Sequence, residues 1–288
     1  MACEIAADRV LAARASDDGR AVDIHTSRAL PPGAVTPGLA AGNVGDPAAL
    51  RDAVAGALAA VAGRSRDVIA VLPDAAVRVA LLDFDSFPEK YAEAAALVRF
   101  RLKKTLPFDV ERAALSFDVQ RAAAGVRVVA AVAPQAIVEE YERAIRDAGY
   151  HPGVVLPSTL AALGAVEAER PTLVVKVDST TAAVAIVDGD ELRLFRIVPN
   201  RSGARVDGAQ LAEEIYPSVV FYQDTYGATV ERVLVGGQAP LESVGPALEA
   251  QTGVPVGELV SARFLSGNLA GDLGHPSTLA GVVGALVA

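Results

Sequence analysis

The two halves of this sequence follow the same layout, and this repetition limits the possible folds more than any other feature does. Each half begins with a strand, a short polar turn, a second strand, an Asp-Gly turn and a third strand. The strands are predicted at Ile5, 10–11 and 21–25 in the first half and at 172–177, 182–187 and 192–198 in the second. Apolar runs bounded by Asp, Gly, Ser and Thr are typical of strands joined by tight turns. The repeated order predicts two lobes that share one architecture.

The rest of the chain belongs to these two lobes and to a smaller inserted block. Asp46 begins a predicted Ala-rich helix, after which the predicted order of elements is ββαββα. In the second half a helix over 207–226, with Pro217 as an expected kink, precedes a strand at 232–235 that runs into Gly236-Gly237. We predict a first lobe over 1–66 and 134–170, an inserted subdomain over 67–133, and a second lobe with a closing helix over 171–288.

Composition and charge indicate a folded chain made for a reducing compartment. The 288 residues include 26 Lys and Arg against 35 Asp and Glu, a net charge of −9 that argues against a broad nucleic-acid surface. Cys3 is the single cysteine, and with only three scattered histidines it argues against a disulfide or a metal site. No run reaches the roughly 18 apolar residues that a membrane span needs. We expect a cytoplasmic protein that is brought to a membrane by another chain and does not insert directly.

A strand, hairpin and strand in each of two lobes, followed by a strand that ends in Gly-Gly, is the layout of the actin-like nucleotide-binding fold. In that layout the two hairpins grip phosphates from opposite sides, and the glycine pair lets backbone pass close to the nucleoside. We therefore expect an α/β protein of the actin-like (ribonuclease H-like) class, two-lobed, with a small inserted α+β subdomain in the first lobe.

Seven stretches spread over nearly the whole chain carry a family resemblance. They are 68–73, 104–108, 128–133, 141–149, 213–222, 233–239 and the closing stretch 278–286. In order and spacing they resemble those of PilM-type type IV pilus assembly proteins, whose fold is similar to that of the cell-division protein FtsA. The resemblance implies a cytoplasmic protein that binds ATP between its lobes and docks the cytoplasmic tail of a membrane-anchored partner. Self-association stays open beside that role.

The two hairpins depart from the family pattern, which is Asp-x-Gly followed by hydroxylated residues. The first hairpin keeps a carboxylate at Glu4 but has Ala6 in place of the glycine, and in the second Lys176 falls on the metal-organising Asp. Hydrolysis then loses its Mg²⁺ anchor. The resemblance implies a degenerate ATP site formed by Glu4, Lys176, Asp178, Ser179, Thr180, Thr181, Gly236 and Gly237. Ordinary turn chemistry is the alternative explanation of the same residues.

A partner site is expected between the first lobe and the inserted subdomain. The resemblance places a peptide-docking cleft there, and exposed strand edges beside an apolar pocket suit an extended tail. A predicted helix ends near Arg99 and Arg101 and leads to Lys103, Lys104 and Phe108. We predict the two lysines as charged contacts and Phe108 as the apolar anchor, with a packing role for Phe108 as the alternative.

The predicted function is a non-enzymatic scaffold at the inner-membrane platform of a type IV pilus. One alternative is the cytoplasmic domain of a type II secretion platform protein, and another is a sugar or acyl kinase of the same fold. The kinase needs a carboxylate between the lobes, but the candidates Asp207 and Asp224 both stand at predicted helix ends, where capping or solvation explains them. The sequence also contains no P-loop, nucleophile elbow, H-E-x-x-H or paired-cysteine motif.

Overall fold

The structure, a computed structural model, describes residues 1–40, 42–122, 125–200, 203, 206–266 and 275–288. The strands are β1 (Ala2–Ile5), β2 (Arg9–Ala15), β3 (Val22–Ala29), β4 (Asp67–Leu72), β5 (Arg78–Phe84), β6 (Ala113–Ala122), β7 (Gly125–Pro134), β8 (His151–Pro157), β9 (Thr172–Val177), β10 (Thr181–Asp188), β11 (Glu191–Pro199), β12 (Arg232–Gly237) and β13 (Val256–Glu258). The helices are α1 (Pro47–Ala60), α2 (Tyr91–Leu102), α3 (Gln135–Asp147), α4 (Ser158–Leu163), α5 (Gly208–Tyr226), α6 (Leu241–Thr252) and α7 (Ala280–Val287).

Two five-stranded sheets with the same topology form the two lobes. The first has the order β3-β2-β1-β4-β8 and the second the order β11-β10-β9-β12-β13. In each, a three-stranded antiparallel meander is extended by parallel strands on the side of its first strand. The hairpin registers also agree, since Ile5 pairs with Val10 and Val177 pairs with Ala182. The duplication predicted for the meanders therefore extends to the whole sheets.

Strands β1 and β9 lie at the centre of their sheets, and their sequences reflect that position. Every residue of both strands is buried. A central strand covered on both faces is apolar throughout instead of alternating. Glu4 and Lys176 are the charged exceptions in these two strands, which marks both positions as unusual before any contact is considered.

A third sheet, with the order β5-β7-β6, is inserted between β4 and α3. α2 packs on it through Val98 and Leu102. The subdomain boundary expected at residue 67 needs one correction, because β4 pairs with β1 and β8 in the first large sheet. The buried run that ends β4 suits a central parallel strand, so the inserted sheet begins at Arg78. The rest of the division into lobes stays a prediction.

The last helices of the two halves, α4 and α7, cross closely where the halves meet. A Cβ on Gly284 of α7 would overlap with the carbonyl oxygen of Ala161 in α4. A Cβ on Gly164, just after α4, would overlap in turn with the Gly284 carbonyl oxygen. Backbone thus packs directly on backbone. The closing helix, expected with the second lobe, also packs on β1 and β2 of the first.

The helix α5 covers the second sheet and continues through Pro217 as one uninterrupted helix. Helices commonly begin after a Ser, Thr, Asp or Asn cap and end at a glycine. α5 has both signals, since Asp207 caps its start and Gly227, in the left-handed conformation, follows its last residue. Among the described residues no helix is both long and apolar enough to cross a membrane.

The sequence does not predict β8, α4, α6 or β13. Pro152 and Pro157 lie in β8, and proline argues against a strand unless it is at a sheet edge, where β8 lies. α4 has only six residues, too few for a helical repeat to be visible. These elements complete the sheets and cover them, so the duplication is more extensive than the meanders alone indicate.

Replacing Gly284 with Ala should destabilise the fold by about 1–3 kcal/mol, the usual cost of overpacking. The added Cβ would overlap with the Ala161 carbonyl oxygen, which is helix backbone and has no alternative rotamer. Gly56→Ala is the matched control, because Gly56 lies in α1 and its Cβ would meet only Arg28 Nε at 3.5 Å. That control should be neutral or stabilising by up to about 1 kcal/mol. Urea unfolding measures both variants, and equal midpoints would contradict the close helix crossing.

Candidate functional site

Glu4 and Lys176 occupy equivalent positions in the two halves. Each stands one residue before the end of its central strand, Glu4 in β1 and Lys176 in β9. Their hairpin registers agree, since Glu4 pairs with Leu11 and Lys176 with Ala183, one pair inside each hairpin. The ends of the two strands meet between the lobes, so the two side chains are in contact. The structure thus brings together two residues that the sequence predicts for one site.

The ammonium of Lys176 is held by two carboxylates inside the protein. Its Nζ lies 3.0 Å from Glu4 Oε1 and 3.0 Å from Asp178 Oδ1. Ser158, the first residue of α4, donates its hydroxyl hydrogen to the same oxygen of Glu4. The side chains of Lys176 and Glu4 are only 1% and 3% exposed. Burial lowers the pKa of Lys176, but Asp178, Glu4 and Asp74 raise it by more, so the net shift is upward and the lysine stays charged.

The second carboxylate oxygen of Glu4 lies at the beginning of α7. Glu4 Oε2 is buried and accepts no hydrogen bond within the described part of the chain. A Cβ on Gly281 would overlap with this oxygen, so the glycine lets the carboxylate approach the first turn of the helix. The positive end of the helix dipole favours a carboxylate at that place. One side chain of β1 therefore contacts β9, α4 and α7.

Asp74 is another buried carboxylate near this ion pair. It follows β4, and its two oxygens accept hydrogen bonds from the Thr159 backbone N–H at 2.9 Å and the Thr159 hydroxyl at 2.6 Å. Burial raises the pKa of Asp74 to about 6, with Lys176 opposing the shift and Asp178 adding to it. The charges of Glu4, Asp178 and Asp74 therefore all act on the Lys176 ammonium, and the first two carboxylates contact it.

The predicted hydroxyl residues lie in the turn between β9 and β10 and at the start of β10. The Asp178 N–H donates to the Thr181 carbonyl oxygen at 2.7 Å and closes the turn. The hydroxyl of Ser179 is buried and has no hydrogen-bond partner among the described residues. Thr180 is exposed, and its carbonyl oxygen accepts a hydrogen bond from the Asn200 N–H at 2.9 Å. Phosphate binding by these three hydroxyl groups stays a prediction.

The glycine pair at the end of β12 has a structural explanation. Gly237 has a φ of +84°, and a Cβ there would overlap with the Val177 carbonyl oxygen of β9. A Cβ on Gly236 would lie 3.2 Å from Leu259 and 3.3 Å from Ala280. The close approach of neighbouring elements therefore accounts for both glycines without a ligand. Their nucleotide contact stays a prediction.

The side chains at this point do not fit a magnesium-bound nucleotide. Mg²⁺ needs free carboxylate, water and phosphate oxygens, whereas the Lys176 ammonium already engages Glu4 and Asp178. Within the part of the chain that the structure describes, no group of three or more acidic, His or Cys side chains is arranged to hold a metal ion. A further bond, from Gln238 Nε2 to Asp8 Oδ1 at 3.0 Å, joins the second lobe to the first hairpin. Contacts between protein groups thus join the two hairpin regions.

The predicted partner residues lie on the inserted subdomain, beyond the end of α2. Lys103 and Lys104 are exposed, and Phe108 is half-buried against the core of the inserted sheet. Arg99 donates hydrogen bonds to carbonyl oxygens of the segment that follows α2, and the Arg101 guanidinium lies 5.0 Å from the centre of an aromatic ring of β5. Two of the four basic residues therefore stabilise the subdomain, and the two lysines face solvent.

An apolar groove with a volume of about 140 Å³ lies between the first lobe and the inserted subdomain. β6 and β8 border it, and both are edge strands of their sheets. β6 contributes Leu115 and Ser116 to the lining, and β8 contributes Val155 and Leu156. The predicted anchor Phe108 does not line this groove. The expected junction thus has strand edges and an apolar pocket, formed by residues that the sequence does not single out.

The two carboxylates considered for a kinase lie outside the buried cluster. The Asp207 side chain accepts hydrogen bonds from the N–H groups of Ala209 at 3.0 Å and Gln210 at 3.2 Å, and so caps α5. Asp224 is exposed near the end of the same helix. Capping and solvation account for both residues.

Asp74, Ser158 and Thr159 belong to the site but are not predicted from the sequence. Asp74 follows a proline, and that pair has the composition of an ordinary turn. Ser158 and Thr159 follow Pro157, a helix-start signal that would have located α4. Their contacts are beyond sequence reasoning, because Ser158 is 154 residues from Glu4.

No family model matches this chain, and no curated protein matches it in sequence. Solved structures do match its fold. A PilM-PilN type IV pilus biogenesis complex matches with a TM-score of 0.80 and 22% identity, over 99% of this chain and 96% of that chain. The ethanolamine utilization protein EutJ from Carboxydothermus hydrogenoformans has a TM-score of 0.55 and 12% identity, over 99% and 88%.

The cytoplasmic domain of EpsL, an inner membrane component of the type II secretion system of Vibrio cholerae, matches with a TM-score of 0.52 and 11% identity, over 83% of this chain and 82% of that domain. These similarities confirm the predicted two-lobed actin-like fold. At the level of the fold they also confirm the resemblance to PilM-type proteins.

Proposed function

We propose that this protein is a non-enzymatic scaffold of a type IV pilus assembly platform and docks the cytoplasmic tail of a membrane-anchored partner. The groove between the first lobe and the inserted subdomain carries the proposal, on a chain similar in fold to a protein of a PilM-PilN complex. In this proposal the protein lies on the cytoplasmic side of the inner membrane, where the partner holds it.

The chemistry of the groove suits an extended apolar tail. Along its outer side, an edge strand has backbone N–H and C=O groups that are not hydrogen-bonded to a neighbouring strand. A tail that pairs with β6 or β8 would direct alternate side chains into the groove, where the lining favours aliphatic groups. Val154 of β8, 49% exposed, supports an accessible strand at this edge. The proposal retains Lys103, Lys104 and Phe108 as further contacts on the same subdomain.

The buried cluster between the lobes favours a scaffold over an ATPase. In the proposal Lys176 supplies, from within the chain, the positive charge that joins the two hairpin regions. A nucleotide phosphate that took the ammonium would leave Glu4 buried without its cation, and an uncompensated buried charge costs several kcal/mol. We therefore infer a degenerate ATP cleft without turnover.

A type II secretion platform protein is the second candidate. The similarity to the EpsL cytoplasmic domain supports it, and that domain is a component of an inner-membrane assembly. In this proposal both candidates are actin-like scaffolds that bind a membrane-anchored partner. They differ in the partner whose tail they bind, so the identity of that tail distinguishes them.

The amino-terminal cytoplasmic peptide of the PilN-type protein from the same genome should bind in the groove. Ser116→Arg should weaken that binding at least about tenfold, because Ser116 is an exposed lining residue and a long cation there obstructs an apolar tail. Fluorescence anisotropy of the labelled peptide measures the dissociation constant. Ser86→Arg is the matched control, since Ser86 is exposed and does not line the groove. Equal affinities for the two variants would contradict docking there.

The same assay tests the three partner residues predicted from the sequence. Phe108→Ala should lower the free energy of unfolding by about 1–2 kcal/mol, because the ring is half-buried against the subdomain core. An unchanged melting curve with weaker peptide binding would instead identify Phe108 as an anchor. Lys103→Glu with Lys104→Glu should leave the melting curve unchanged, since both side chains are exposed. An unchanged affinity in that double variant would remove both lysines from the site.

Lys176→Met should destabilise the fold by about 3–5 kcal/mol, because it leaves the buried Glu4 and the partly buried Asp178 without a cation. Adding Glu4→Gln should recover part of the loss by removing one of the two unpaired charges. Lys103→Met, at an exposed lysine, is the control and should change little. Urea unfolding ranks these variants, and identical midpoints for the single and double variants would exclude the ion pair.

ATP turnover above roughly 1 s⁻¹ that Lys176→Met abolishes would contradict the scaffold proposal.

Asp74 should make the fold more stable at mildly acidic pH than at neutral pH. Its folded pKa of about 6 lies above the ordinary value of 3.8, so between these values the folded state binds more protons than the unfolded state. Stability from this group therefore rises as the pH falls, by about 1 kcal/mol between pH 7.5 and 5.5. Asp74→Asn should remove that contribution and keep an acceptor for the Thr159 N–H. Urea unfolding at both pH values tests this, and parallel pH profiles of the two proteins would refute it.

A further inference from the structure

A second, larger cleft lies between the inserted subdomain and the second lobe. Its volume is about 650 Å³, and β5, β11 and α5 contribute most of its lining. β5 is an edge strand of the inserted sheet, and β11 is an edge strand of the second large sheet. This cleft shares no lining residue with the apolar groove described above. It is therefore a separate surface.

Positive charge is concentrated in this cleft. Arg78, Arg127, Arg193 and Arg196 line it, and Asp83 is the acidic residue that lines it with them. The whole chain carries a net charge of −9, so the cleft has the opposite sign to the protein as a whole. An anionic partner is attracted to such a place.

Two of the arginines are fixed around Tyr226 of α5. Arg127 donates a hydrogen bond to the Tyr226 hydroxyl oxygen at 2.6 Å and pairs with Asp83 at 2.7 Å. The guanidinium groups of Arg127 and Arg193 lie 5.5 Å and 5.2 Å from the centre of the Tyr226 ring. Arg193 also pairs with Glu191 at 2.6 Å. These contacts join the inserted subdomain to the second lobe, so the walls of the cleft are preformed.

The other two arginines are available to a ligand. Arg78 and Arg196 are exposed, and within the described part of the chain neither side chain has an ion-pair or hydrogen-bond partner. Phe221, which also lines the cleft, is 52% exposed. The hydroxyl of Ser218, another lining residue, is buried and has no partner among the described residues. Unpaired cations beside an exposed aromatic ring and an unsatisfied hydroxyl indicate a binding surface.

We propose that this cleft binds an extended acidic segment of a partner protein. In an extended chain successive side chains point to opposite sides. If acidic and apolar residues alternate, the acidic side chains on one side can pair with the arginines while the apolar side chains on the other side contact Phe221. Guanidinium groups bind carboxylates through two parallel N–H···O bonds, which suits Arg78 and Arg196. The edge strands β5 and β11 offer backbone groups for strand addition. The scaffold then has a second docking site, independent of the tail groove.

A labelled heptapeptide in which Glu and Phe alternate tests the proposal, with the Lys and Phe counterpart as the charge control. The acidic peptide should bind and the basic peptide should not. Arg78→Glu with Arg196→Glu should weaken binding at least about tenfold. Arg64→Glu with Arg121→Glu is the matched control, because it changes the net charge equally at exposed positions outside the cleft. This control should stay within about twofold of the unmodified protein.

Hydrogen exchange locates the bound peptide, with protection expected over 78–84 and 191–199. Ser116→Arg should leave the affinity for this peptide unchanged, so the result is independent of the tail groove. Equal affinity for the acidic and basic peptides, or equal losses in the two double variants, would overturn the proposal. Sedimentation velocity gives a further outcome. A dimer that Arg78→Glu with Arg196→Glu dissociates would assign the cleft to a second copy of this chain and also overturn it.

Discussion

The fold depends on one buried ammonium, that of Lys176, at the point where the two halves of a duplicated architecture meet. Duplication brings equivalent positions of β1 and β9 together, and like charges at both would repel in the interior. Glu4 and Lys176 carry opposite charges, so the protein itself satisfies the pair. Because Ser158 of α4 and Gly281 of α7 also contact the Glu4 carboxylate, the last helices of both halves are tied to the same point.

The sequence reveals these two charges because they interrupt apolar strands, and a charge in a central strand needs an explanation that local structure does not provide. The meanders and their repetition are predictable for a similar reason, since alternation and turn residues are local signals. Other parts depend on tertiary structure. β4 resembles one arm of a hairpin because Pro73 and Asp74 follow it, and only its pairing with β1 and β8 places it in the large sheet. β8 contains two prolines that its edge position tolerates.

Gly236 and Gly237 show why a residue type does not determine a role. A glycine pair after a strand permits close approach of either a ligand or another backbone. Here the carbonyl oxygen of Val177 and the first residue of α7 already occupy that space. Phe108 presents the same ambiguity, because an aromatic ring suits a docking anchor or a small core, and its half-buried position against the inserted sheet favours the core. In both cases the sequence predicts which kinds of contact the residue can make, and the residues around it in the fold determine which of them it makes.

The inserted subdomain borders both of the surfaces that we propose for binding. Its sheet has three strands, and therefore two edges. One edge, β6, borders the apolar groove against the first lobe, and the other edge, β5, borders the arginine-lined cleft against the second lobe. The groove is aliphatic, whereas the cleft has four arginines beside its apolar residues. In the two proposals, partners of different character therefore occupy these surfaces without competing. Contacts of Arg127 with Tyr226 hold the inserted subdomain against the second lobe, on the side of the β5 edge.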